Sequence, residues 1–222
     1  MQRSRKILVA LGLLLGILVA ATGAMSSPAG QALAGSRQHA EPESGFVRWD
    51  LVQAVNGVVV SGGTDVSTDA ATRDTMALTG SGHAEPGEQE GAGGGTFVHR
   101  DKDGNLKAKG SYFVTGFVSW QRLSGGNFAA TGLVDGIGNG AGATPDENEP
   151  SSGILTLNVR LVPDGSTPSN GIDAVLSIHC NLPQTIGGDF EGFTLTVGSF
   201  NFTPTANGPH TRAGLTLFHI LR

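Results

Sequence analysis

The stretch Ile154-Leu155-Thr156-Leu157-Asn158-Val159-Arg160-Leu161-Val162 decides the fold class. Leu155, Leu157, Val159 and Leu161 fall on one side of an extended chain, and Thr156, Asn158 and Arg160 on the other. A period of two is what a strand with one dry and one wet face requires. Residues 174–180 repeat it, with Ala174, Leu176, Ile178 and Cys180 on the apolar face and Ser177 and His179 opposite. Residues 215–221 are apolar on both faces except for His219, so the last strand is expected in the middle of a sheet or closing one.

The composition agrees. The 222 residues include 35 glycines, and an interior glycine costs a helix about 1 kcal/mol relative to alanine, so a helical bundle is excluded. Short β-branched and aromatic runs alternate with Gly, Pro, Asn and Asp clusters, which predicts strands over residues 46–54, 57–61, 75–83, 94–101, 105–121, 128–134, 152–162, 171–181, 192–203 and 213–221. Asn56-Gly57 and Asp103-Gly104 predict two-residue hairpins, and Pro163-Asp164-Gly165 a turn. Gly110 and Gly116 interrupt the long segment 106–120, where they predict bends or bulges in a curved sheet. Residues 61–74, 84–93 and 137–151 are expected to be loops rimming any binding site.

The expected architecture is all-β, a single antiparallel β-barrel of about eight to ten strands, with a two-sheet β-sandwich as the alternative. The order of hairpins, one Gly-bent long strand and amphipathic strands resembles lipocalin-like or dirigent-like barrels in shape. The resemblance implies architecture alone, because the sequence carries no diagnostic motif of either family.

Arg3, Arg5 and Lys6 precede an apolar, uncharged run from Ile7 to Ala21, the pattern of a secretory signal peptide. Cleavage is expected after Ala34, where Ala32-Leu33-Ala34 follows Pro28, with Ala24 as the alternative site and an uncleaved anchor as the alternative fate. The domain plan is therefore a signal over residues 1–34, a polar lead-in over 35–45 and one β-rich domain over 46–222. The protein is expected to be secreted or in the cell envelope. The signal takes three of the 14 basic residues and none of the 19 acidic ones, leaving 11 against 19, a net charge of −8. Such a chain lacks the basic footprint of a nucleic-acid or anionic-membrane binder, so neither partner is expected after signal cleavage. With Cys180 as the only thiol, an intramolecular disulfide is impossible. Its place on the apolar face predicts a buried, inert side chain.

Several motifs fail a test against their chemistry. Gly91-Ala92-Gly93-Gly94-Gly95 leads into Thr96-Phe97-Val98, a strand, whereas a phosphate loop must open a helix; a flexible loop or bulge is expected instead. Asp101-Lys102-Asp103-Gly104-Asn105 lacks the glycine position and closing glutamate of a calcium loop. The run Asp146-Glu147-Asn148-Glu149 reads as solvated charge. No serine stands in a Gly-x-Ser-x-Gly elbow, and no catalytic residue is assigned. His83, Glu85, His99 and His179 form the one candidate metal set, with scattered histidines as the alternative, since HxH and HExxH spacings are absent. The clustered HxH and Glu of the cupins are likewise missing. Trp49, Tyr112 and Trp120 are expected in the core, with the lining of a sugar or lipid pocket as the alternative, and Phe113 and Phe117 are expected on the opposite strand face from Tyr112 and Trp120.

The expected role is non-enzymatic binding of a small, partly apolar ligand in a barrel mouth, without a cofactor. Phe113, Phe117, Arg160 and His179 are the candidate ligand-binding residues, Arg160 as the anchor for an anionic group. A surface protein-interaction module and an isomerase-like or metal-assisted enzyme are the alternatives.

Overall fold

The computed structural model describes residues 45–138, 148–204 and 215–221. The signal segment, nearly all of the lead-in, and residues 139–147 of the third expected loop lie outside the described residues. The described chain is all-β. Its strands are β1 (Phe46–Val55), β2 (Val58–Ser61), β3 (Asp65–Asp69), β4 (Thr75–Glu85), β5 (Glu90–Arg100), β6 (Leu106–Arg122), β7 (Val134–Asp135), β8 (Asn148–Ser151), β9 (Gly153–Pro163), β10 (Ile172–Cys180), β11 (Gly192–Val197), β12 (Phe200–Thr203) and β13 (Leu215–Leu221). Short 3-10 turns occupy Phe128–Thr131 and Pro168–Asn170.

The strands form one sheet whose order runs β12-β11-β10-β9-β6-β5-β4 through antiparallel pairs. β3 pairs at one end with β12, through Asp69↔Phe202 and Thr68↔Thr203, and along its length with β4, from Asp65↔Leu78 to Thr68↔Thr75. The pairings thus ring round. Beyond β3, the second half of β4 pairs with β1, which carries β13 and then β8. β2 folds back on β1 and takes β7 as a parallel neighbour.

Local chemistry explains most of the turns. Asn56 and Gly57 both adopt positive φ, 51° and 84°, and close the expected two-residue hairpin at Val55↔Val58. The Pro163 carbonyl accepts from the Ser166 N–H at 2.9 Å, with Gly165 at φ 82°, as a turn there requires. The β5–β6 hairpin forms, but its connection is five residues rather than two, since Arg100 pairs with Leu106. The Asp101 carboxylate accepts from the backbone N–H groups of Asp103 and Asn105, which makes the longer loop self-sufficient.

Other expectations are corrected. Residues 61–74 contain a strand, β3, and residues 84–93 are the end of β4, a tight turn and the start of β5, not a loop. The glycine cluster 91–95 belongs to β5 itself. The expected strand 128–134 is a 3-10 turn leading into β7, and the expected strand 192–203 breaks into β11 and β12 at Gly198, φ 57°. β13 lies between β1 and β8, which accounts for its two apolar faces.

The inner face is filled. Leu155, Leu157, Val159 and Leu161 of β9 meet Leu176, Ile178 and Cys180 of β10, Phe193 and Leu195 of β11, Phe202 of β12 and Met76 and Leu78 of β4. On β4, Gly80 and Gly82 leave room for two aromatic rings. A Cβ on Gly82 would stand 2.8 Å from Trp49 Nε1, and one on Gly80 would overlap the Tyr112 hydroxyl. In β6 the register shifts between Val114 and Gly116 and again between Phe117 and Ser119. These bulges put Tyr112, Val114, Phe117 and Trp120 all against the core and leave Phe113 outside, 37% exposed. The expectation that Phe117 shares a face with Phe113 is therefore corrected.

Candidate functional site

Immediately before β11 stands Glu191. Its Oε2 accepts from the Asn181 N–H at 2.5 Å, and its Oε1 accepts from both the N–H and the hydroxyl of Thr216 at 2.7 Å. The Thr216 hydroxyl also reaches the His179 carbonyl at 2.5 Å. One carboxyl thus ties the end of β10 to the start of β13. Burial pushes the Glu191 carboxyl up to about 7, against the pull of its three donors, and the nearby charge of Asp65 adds to the rise.

Asp65, at the start of β3, is pushed up to about 7 as well, again by burial, despite hydrogen bonds from the backbone of Val66 and Phe193. Its Oδ2 has no hydrogen-bond partner among the described residues and lies against Gly192. Cys180 is 1% exposed, and burial together with the charge of Glu191 drives its thiol well above the ordinary range. A thiol so placed stays protonated and is no nucleophile.

Glu191, Thr216 and Asn181 form the polar end of a cleft of about 250 Å³. Its walls are apolar: Val52 and Val59 from β1 and β2, Leu215 and Leu217 from β13, Leu182 and Pro183 after β10, and Phe128 and Leu133 from the segment between β6 and β7. That segment is held at both ends. The Asn127 N–H donates to the Pro183 carbonyl at 2.9 Å, and the Asn127 side chain caps the 3-10 turn at Ala130. Further on, Val134 donates to Gly57 and Gly136 to Val59, both at 2.9 Å, while Asp135 Oδ2 accepts from Nε2 of buried His219 at 2.7 Å. An apolar chamber ending in a carboxyl near neutrality can hold a small apolar body and either accept from or donate to its polar head.

The residues singled out in the sequence are not brought together. Phe113 and Arg160 are cross-strand neighbours on the outer face, where Arg160 Nε and Nη2 donate to Asp173 at 2.7 and 2.9 Å. Arg160 thus already has a carboxylate partner. Phe117 packs on the core. His179 pairs through Nδ1 with Asp189 at 3.0 Å and stacks on Phe190 at 4.0 Å between ring centroids. His99 binds Asp74 through Nε2 at 2.9 Å and lies edge-on to Phe200 and Phe202. His83 is exposed beside Phe46, and Glu85 faces Glu90 across the hairpin. Among the described residues no group of three or more His, Cys, Asp or Glu side chains is placed to hold a metal ion.

Sequence reasoning passed over Glu191, Asn181 and Thr216. Glu191 sits in an ordinary acidic turn, Asp189-Phe190-Glu191-Gly192, and its partners are ten and 25 residues away. No family model, curated protein or solved structure matches the chain.

Proposed function

We propose that this is an exported, non-enzymatic binding protein that takes a small, partly apolar molecule into the cleft at Glu191. The observation that carries the proposal is the apolar cleft of about 250 Å³ lined in part by one half-buried carboxyl, pushed up to about 7. The ligand is fragment-sized, apolar along its body, with one hydroxyl or amine head directed at Glu191 and Asn181. Export rests on the cationic start and apolar run of the first residues.

The fold is proposed as a closed eight-stranded barrel in the order β3-β12-β11-β10-β9-β6-β5-β4, supported by the pairing of β3 with both β12 and β4. Eight strands enclose just enough space for side chains, and the inner faces here carry Phe193, Phe202, Leu157 and Ile178. Ligand is therefore assigned to the flank where β1, β2 and β13 extend the barrel, not to its interior.

Titrating a panel of small apolar alcohols and amines while recording ¹H–¹⁵N spectra tests the assignment. Shifts at Leu133, Leu182 and Leu215, weakened about tenfold in Glu191→Gln by loss of a charge-assisted contact, are expected. Absence of shifts at these positions across the panel would refute it.

A further inference from the structure

We infer that the groove on the outer face of β6, β9, β10 and β11 is a second binding site, one for neutral saccharides. It holds about 490 Å³ and is lined by Thr115, Asn158, Arg160, Asp173, Val175 and Thr196. No residue of the Glu191 cleft takes part.

The first bulge in β6 brings Thr115 to the edge of the groove. Thr115 is the extra residue there, so Gly116 comes to stand opposite Asn158. A Cβ on Gly116 would lie 3.6 Å from Asn158 Nδ2, in ordinary contact. Glycine leaves that space open.

Arg160 is fixed in advance. Its stem lies against Gly171, where a Cβ would come within 2.6 Å of Arg160 Cγ, and Asp173 holds its Nε and Nη2 in a two-point pair. A guanidinium has five N–H groups; Asp173 takes two, and three remain for a ligand. Phe113, opposite Arg160 in the register, offers an exposed ring, and Val175 a second exposed apolar side chain.

Charge chooses the occupant. One guanidinium and one carboxylate in mutual contact sum to zero, so an anion meets Asp173 and a cation meets Arg160. A neutral molecule with adjacent hydroxyls satisfies both: its hydroxyls donate to Asp173 and the Asn158 carbonyl and accept from Arg160 and the Asn158 amide. The apolar C–H face of one pyranose ring then covers Phe113, and that of a neighbouring ring meets Val175 across β9.

The experiment is an NMR titration of the protein with cello-, malto- and chito-oligosaccharides, each to about 10 mM, a range that detects even a weak millimolar complex. At least one neutral oligosaccharide should shift Thr115, Asn158 and Val175. The affinity should fall about tenfold or more in Phe113→Ala and in Asp173→Ala, and also in Gly116→Val, whose side chain would crowd the Asn158 amide while every polar group is kept. Glu191→Gln should bind as the parent does, which separates this site from the cleft. Thermal unfolding of each variant reports the fold, and the two exposed substitutions carry the test if Gly116→Val does not fold. No shift with any neutral oligosaccharide, undiminished binding in Phe113→Ala and Asp173→Ala, or a response only to anionic polygalacturonate would overturn the inference.

Discussion

Glu191 accepts hydrogen bonds from both the backbone N–H and the side-chain hydroxyl of Thr216, so a residue at the start of β11 fixes the start of β13. Replacement by alanine deprives Thr216 and the Asn181 N–H of their common acceptor. Glu191→Ala is expected to lower unfolding free energy by about 1–3 kcal/mol, the cost of leaving enclosed donors unsatisfied. Urea denaturation measures the change. Hydrogen exchange should quicken first at Asn181 and Thr216, because the loss is local to this junction; uniform quickening across β9 and β10 would show that the tie is not where the geometry places it.

Asp65 and Glu191 set an alkaline limit on stability. Burial raises both carboxyls from the ordinary 3.8 and 4.5 to about 7, so the fold favours their protonated forms. Their contribution is complete below the unfolded values and is lost as the pH rises through 7. Asp69 and Asp74 act oppositely. The Asn201 and Thr72 N–H groups hold Asp69 low and Lys107 and His99 hold Asp74 low, so their contribution is present above pH 4 and lost in acid. Stability should therefore peak in mildly acidic buffer and decline towards pH 8. Asp65→Asn, which cannot ionise, should recover on the order of 2 kcal/mol at pH 8 and much less at pH 5. Thermal unfolding at the two pH values decides; equal effects would remove Asp65 from the explanation.

The faces of β9 and β10 were legible because alternation is a property of the segment itself. Leu155 and Ile178 point inward in any context that buries one side of their strands. The orientation of Phe117 was not legible, since it depends on where β6 slips against β9, and that slip belongs to the pair rather than to either strand. β3 was hidden for another reason. Its inward residues are Asp65, Ser67 and Asp69, polar side chains that no apolar pattern betrays, and Ser67 is satisfied only by the Phe193 carbonyl 126 residues away. The cleft was illegible because Glu191 gains its partners, Asn181 and Thr216, only when the chain after β10 and the start of β13 come together. Arg160 was legible as a charge on the wet face of β9, but Asp173, its partner, becomes visible only when β10 lies beside β9.

Gly82 and Gly116 provide a matched pair of substitutions. At Gly82 an added methyl would press on the Ala92 carbonyl, the Gly93 backbone and Trp49 Nε1, none of which can withdraw cheaply. Gly82→Ala should cost about 1–3 kcal/mol, the usual penalty of overpacking, and should alter Trp49 emission. Gly116 has only the Asn158 side chain within 4 Å, so Gly116→Ala should be neutral within about 0.5 kcal/mol. Calorimetry of the two variants, with fluorescence as the second readout, checks the contrast. Equal stabilities would mean that the aromatic ring is not seated over β4.

His219 and Asp135 fasten the segment that lines one side of the cleft. His219 is 1% exposed, and its Nδ1 has no hydrogen-bond partner among the described residues, so Asp135 supplies its single side-chain hydrogen bond. Burial works to raise the Asp135 carboxyl, but the imidazole and the N–H groups of Ile137 and Gly138 outweigh it and keep it ionised. Removing the carboxylate strands a buried ring and frees two backbone donors at once. Asp135→Ala should therefore cost about 1–3 kcal/mol globally. It should also raise exchange at Val134 and Gly136, whose bonds to Gly57 and Val59 lose their neighbouring anchor. Asp135→Asn retains an acceptor for Nε2 and should recover roughly half of the loss, because the bond is no longer charge-assisted. If Asp135→Ala destabilises the chain yet leaves exchange at Val134 and Gly136 at parental rates, the pair supports β13 alone and does not hold the cleft-lining segment.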